Sequence, residues 1–114
     1  MKKIYLAIPY SWNPARSFEI ANKVSARLMK EGHIIFSPVS HSHGIADHLP
    51  AELRTNSEWW MSQDLPLVEW ADEVRVVVIG ELGNDLIAKS VGVQCEINHA
   101  VKHNKPILIE EYYE

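Results

Sequence analysis

The stretch Val74-Arg75-Val76-Val77-Val78-Ile79 is the most strand-like of the chain. After the polar residues 80–89 comes Ser90-Val91-Gly92-Val93-Gln94-Cys95-Glu96-Ile97-Asn98, which opens a helical pattern running to about His103. An apolar run leading through a turn into a helix is the βα half of a parallel-sheet unit. The same unit recurs upstream. Ile4 to Ile8 is an apolar run, and Asn13-Pro14 reads as an N-cap followed by proline at the first helical position. Phe18, Ala21, Ser25 and Leu28 repeat at helical spacing beside Val24, and Gly32 is placed to end that helix.

His33 to Phe36 forms a short second strand, and residues 37–49, rich in Ser, His, Pro and Gly, read as a loop. A helix over about Ala51 to Ala71 is expected in two pieces because of Pro66, residues 80–89 as a loop, and Pro106 to Ile109 as a closing strand. The order is βαβαβαβ. It predicts an α/β fold, a flavodoxin/Rossmann-like three-layer sandwich with a parallel sheet of four strands, at most five, in the order 2-1-3-4. Ligands of such sheets bind at the carboxyl ends of the strands, where strand order reverses. Four segments converge there: 9–14, 37–50, 80–90 and the start of the last helix.

The 114 residues are enough for one domain, 1–114, with one core. A net charge of −4 and a pI near 5.8 argue against a nucleic acid polymer as partner. No run approaches the roughly 20 apolar residues of a membrane span, and Met1-Lys2-Lys3-Ile4 lacks the features of a signal peptide. Cys95 stands alone, so a reducing, cytoplasmic setting is expected. There is no Gly-x-Gly-x-x-Gly after the first strand and no Walker loop, which disfavours a dehydrogenase or an NTPase; no cofactor is expected.

Within the last helix Glu96 lies three after Val93 and four before Ala100, so it shares the apolar stripe of Val93, Ile97, Ala100 and Val101. A carboxylate turned inward is costly unless paired or used; an ordinary amphipathic helix with its Glu at the stripe's edge is the plainer alternative. Asp64 shares a helical face with Val68 and Ala71, which makes it a second inward carboxylate unless it caps a helix restarting at Pro66. Ser90 and Gly92 open the last helix, where free N–H groups suit an anion. Tyr5, inside the first strand, reads as a core aromatic, whereas Tyr10 and Ser11 fall at that strand's carboxyl end. His41, His43 and His48 could suggest a metallohydrolase, but their spacing fits no specific metal pattern. They read as a loop lining the site, with no metal assigned. Trp59-Trp60 cannot both point inward from one helix, so a homodimer or larger assembly is expected.

Four pieces in this order resemble the nucleoside 2-deoxyribosyltransferase superfamily: Ile4-Tyr5-Leu6-Ala7, Asp64-Leu65, Ala71-Asp72 and Ser90-x-Gly92-Val93-x-x-Glu96. The last piece is most similar to its deoxynucleoside 5′-monophosphate N-glycosidases. The resemblance implies cleavage or transfer of the N-glycosidic bond of a small-molecule nucleoside or nucleotide. It makes Glu96 the nucleophile, Asp64 the acid that helps the base leave, and Tyr5 the phenol that positions Glu96. Ser90 takes the place that binds the 5′-phosphate, where the transferases of free nucleosides carry an acidic residue. The glycosidases have a Gly-Ser turn and a nearby Arg after the first strand; Ser11 and Arg16 are their loose equivalents here. Tyr10, Gly92 and His43 complete the expected substrate-binding set. The alternative is a protein of the same fold that binds a nucleotide without turnover.

Overall fold

In a computed structural model, which describes residues 1–113, four strands form one sheet: β1 (Lys3–Ala7), β2 (Ile34–Phe36), β3 (Glu73–Ile79) and β4 (Ile107–Tyr112). Every neighbouring pair is parallel and the order is β2-β1-β3-β4, as the alternating pattern predicts. Order reverses between β1 and β3, so a crevice is expected at their carboxyl ends.

The pleat sends alternate side chains to opposite faces. Tyr5 and Ala7 of β1, with Val74 and Val76 of β3, pack under α4 (Ser57–Trp70) and α6 (Val91–Lys102) through Val68, Val93 and Ala100. Leu6, Ile8 and Val77 pack on the other face against Ile20, Ala21, Val24 and Leu28 of α1 (Pro14–Lys30). Burying one such aliphatic side chain contributes about 1.5–3 kcal/mol, so each helix is held chiefly by its stripe. Val101 does not join the stripe of α6. It is 63% exposed, because eight residues on from Val93 it has turned about 80° off that line at about 100° per residue.

Helix α1 begins and ends as its sequence indicates. Asn13 accepts the N–H of Arg16 and Pro14 occupies the first turn. Gly32, at φ 99°, takes the left-handed position where a Cβ is penalised, and His33 N–H then bonds back to Leu28 O at 3.2 Å.

Three expectations need correction. Residues 37–49 are not a plain loop but α2 (Pro38–Ser42) and a 3-10 turn (Ile45–His48); Ser37 caps α2 by accepting the N–H of Ser40. Residues 80–89 likewise hold a 3-10 turn (Gly80–Leu82) and α5 (Gly83–Lys89). Gly83 packs so closely on β3 that a Cβ there would lie 2.3 Å from Val78 Cγ1. The expected break at Pro66 is also displaced. The chain breaks after α3 (Ala51–Arg54), where Asn56 caps α4 by accepting the N–H of Trp59, and α4 runs through Pro66. Pro66 and Ser62 both face solvent, so water can serve the carbonyl that the proline leaves unpaired.

Candidate active site

Tyr5, Glu96 and Asp64 come from three elements and meet under the α4–α6 face of the sheet. Tyr5, fully buried on β1, donates its hydroxyl to Glu96 Oε2. Glu96 lies in the second turn of α6 and is 5% exposed; Asp64, in the body of α4, is 7% exposed. Because α4 is continuous, Asp64 is not a helix cap, and that alternative falls.

The electrostatics follow from burial. Desolvation, reinforced by the charge of Asp64, pushes the Glu96 carboxyl up to about 8, although the Tyr5 hydrogen bond favours its ionised form. Desolvation raises Asp64 to about 6, and the nearby His41 pulls the other way. Burial drives the Tyr5 phenol well above its ordinary value, and the two carboxylates add to the effect. Tyr5 is thus a permanent hydrogen-bond donor. The charge of Asp64 acts on Glu96, so the two acids are linked, and between about pH 6 and about pH 8 they hold one proton, chiefly on Glu96.

An aromatic wall flanks this pair. The Phe36 ring lies 5.8 Å from that of Tyr5 and 5.6 Å from that of His41. Beyond it the Tyr10 hydroxyl and His43 Nδ1 are 2.7 Å apart, and His43 stacks on Phe18 at 4.3 Å. His43 is therefore committed to aromatic and hydroxyl partners, and His48 is exposed. Among the described residues His41, His43 and His48 do not bring ligand atoms together, so the metallohydrolase reading loses its site. A hollow of about 390 Å³ bordered by Phe36, Ser37, Ser40 and His41 opens beside this wall rather than over Glu96.

At the start of α6, Ser90 Oγ accepts the N–H of Val93 at 3.2 Å and Ser90 O accepts that of Gln94 at 3.0 Å. The N–H groups of Val91 and Gly92 have no acceptor within the helix. Gly92 has only Met61 Cε, at 3.8 Å, near where a Cβ would stand. Its backbone is therefore accessible rather than sterically confined. Ser11 is exposed on the turn after β1, and Arg16 is half-buried in the first turn of α1. Neither is among the groups that shift Glu96 or Asp64.

Two participants were not legible as such. In the sequence Phe36 reads as the end of a short strand and His41 as one of three loop histidines. The proline after Ser37, the same cap signal as Asn13-Pro14, could have placed His41 on a short helix.

Residues 2–112 match the family described as "Domain of unknown function (DUF1937)", and the chain belongs to it. No curated protein matches it by sequence. Its fold is similar to that of a 2-deoxyribosyltransferase from the psychrotolerant bacterium Bacillus psychrosaccharolyticus, with a TM-score of 0.64 at 23% identity over 96% of this chain and 72% of that one. It is also similar to a 2-desoxiribosyltransferase from Leishmania mexicana, with a TM-score of 0.62 at 16% identity over 97% of this chain and 65% of that one. The fold expected from the resemblance is therefore found.

Proposed function

We propose that this chain cleaves or transfers the N-glycosidic bond of a nucleoside or its 5′-monophosphate. The observation that carries the reading is the buried carboxylate pair with a phenol donating to one member. N-glycosidic cleavage passes through an oxocarbenium-like state and needs an attacking carboxylate and a proton for the departing base. A pair that holds one proton near neutrality has that stoichiometry. In the resting pair that proton sits chiefly on Glu96; in the reacting form it has passed to Asp64, so the ionised Glu96 bonds to the anomeric carbon as the C–N bond breaks, and the base leaves with the proton of Asp64. Water, or a second base, then gives its proton to the Asp64 carboxylate and displaces the Glu96 ester, which restores both groups. Tyr5 holds Glu96 in line and favours its charge.

The remaining residues fit a nucleotide. Ser90, Gly92 and the N–H of Val91 offer donors at a helix N-terminus, where a phosphate is stabilised, and Ser11 and Arg16 stand on the side of β1. Tyr10 and His43 supply a wall for the sugar or base. The kinship of fold with 2-deoxyribosyltransferases supports the reading. We further propose that the chain works as a homodimer or larger. Trp12 and Trp70 are exposed, and Trp59 and Trp60 are only partly covered. Light scattering that returns the 13.0 kDa monomer would contradict the assembly.

The test is incubation with a panel of nucleosides and 5′-monophosphates, read by chromatography for free base. Release should be maximal between the two apparent pKa values of the pair, about 6 and about 8. Tight binding of a nucleotide with no base released would replace the enzyme by a binding protein of the same fold.

A further inference from the structure

The last turns of α4 and α6 hold a second cluster, apart from the carboxylate pair. His99 lies in the last turn of α6 and His103, four residues on, is its C-cap; their rings project from the same side, with centroids 4.4 Å apart. Glu69 on α4 faces both. Its Oε2 lies 2.8 Å from His99 Nε2 and 3.9 Å from His103 Nε2. One donor atom from each residue lies within 4.8 Å of the donors of the other two.

We propose that Glu69, His99 and His103 bind a divalent transition-metal ion, Zn²⁺ above all, and that the ion ties α4 to α6. A plain ion pair leaves the arrangement half used. One proton can bridge Glu69 Oε2 to His99 Nε2, but the 3.9 Å to His103 is too long for a hydrogen bond. An ion at the centre satisfies all three. Zinc takes imidazole nitrogen and carboxylate oxygen at about 2.0–2.2 Å, which sets tetrahedral donors roughly 3.4 Å apart. The two separations from Glu69 Oε2 bracket that value, so small side-chain rotations suffice. The donor set also chooses the ion. Two imidazoles favour Zn²⁺, Co²⁺, Ni²⁺ or Cu²⁺ over the hard Mg²⁺ and Ca²⁺. The side chains of Glu69, His99 and His103 are 48%, 17% and 34% exposed, so an ion can enter and keep water as its fourth ligand. Lys102 lies close enough to act on Glu69, and its positive charge opposes a cation there. The two joined helices are those that carry Asp64 and Glu96.

The test uses the untagged, chelator-treated full chain, titrated calorimetrically with Zn²⁺, Co²⁺ and Mg²⁺. One Zn²⁺ per chain should bind, and Mg²⁺ should bind at least about 100-fold more weakly. Saturating Zn²⁺ at about 100 times its Kd should raise Tm by roughly 5 °C or more. His103→Ala, His99→Ala and Glu69→Gln should each weaken Zn²⁺ binding by at least about 10-fold and remove the Tm shift. His33→Ala and His48→Ala should change neither. Failure of Zn²⁺ to bind below millimolar concentration would overturn the proposal. So would unchanged affinity in His103→Ala, or loss of binding in His48→Ala.

Discussion

Glu73 and Glu96 are both buried glutamates of one small protein, and their surroundings are opposite. Glu73, 1% exposed on β3, accepts from Arg75 Nε at 2.6 Å and pairs with Lys2 Nζ at 2.8 Å. Arg75 continues to Glu110 at 2.5 Å, which Arg27 also binds at 2.6 Å. Burial alone would raise the Glu73 carboxyl, but the bonds from Lys2 and Arg75 outweigh it and hold the group below its usual range. Glu96 has only a phenol and another acid for company, and it is raised. Compensated charge is structure. Uncompensated buried charge costs stability, and it persists where it has a use.

The signs follow by linkage. A carboxyl raised in the folded state binds its proton more tightly there, so its ionisation opposes folding as pH climbs from the unfolded to the folded pKa. Glu96→Gln should therefore gain stability relative to the parent, by on the order of 3–5 kcal/mol between about pH 5 and about pH 9, in chemical denaturation. A flat difference would mean that Glu96 is compensated after all. Glu73 is lowered, so its contribution is present above the unfolded pKa and lost as pH falls through the folded one. Glu73→Gln should cost about 2–4 kcal/mol at neutral pH and progressively less in acid, by the same assay.

Smaller effects sharpen the contrast on the catalytic side. Tyr5→Phe removes the one group that favours Glu96 ionisation. Base release should fall about 10- to 100-fold, and the upper apparent pKa of the rate profile should move to higher pH. An unshifted profile would reduce Tyr5 to a core aromatic. Ser90→Asp should weaken a 5′-monophosphate several-fold more than the free nucleoside, measured as Kd, because a carboxylate repels phosphate. Equal losses for the two ligands would remove the case for a phosphorylated substrate.

The sheet order and the inward faces of Glu96 and Asp64 were legible because both rest on periodicity, which burial enforces. Tyr5 was not legible from pattern. An aromatic on a buried strand is normally packing, and only the resemblance gave it a role. The helices over 38–42 and 83–89 hid in polar composition, since short helices bury little; the first carries a cap signal at Ser37, and the second has no side-chain cap. The continuity of α4 through Pro66 was hidden because solvent, not sequence, relieves the proline. The spacing of four between His99 and His103 is visible in the sequence but specifies no ligand by itself. The third ligand, Glu69, is thirty positions away from His99.

The most direct measurement is free-base release from the best substrate of the panel by the parent, Glu96→Gln and Glu73→Gln, each assayed at neutral pH as folded protein. The account predicts parent-like release by Glu73→Gln and loss of at least about 1,000-fold in Glu96→Gln, whose amide cannot attack the anomeric carbon. Parent-like release by Glu96→Gln would contradict it.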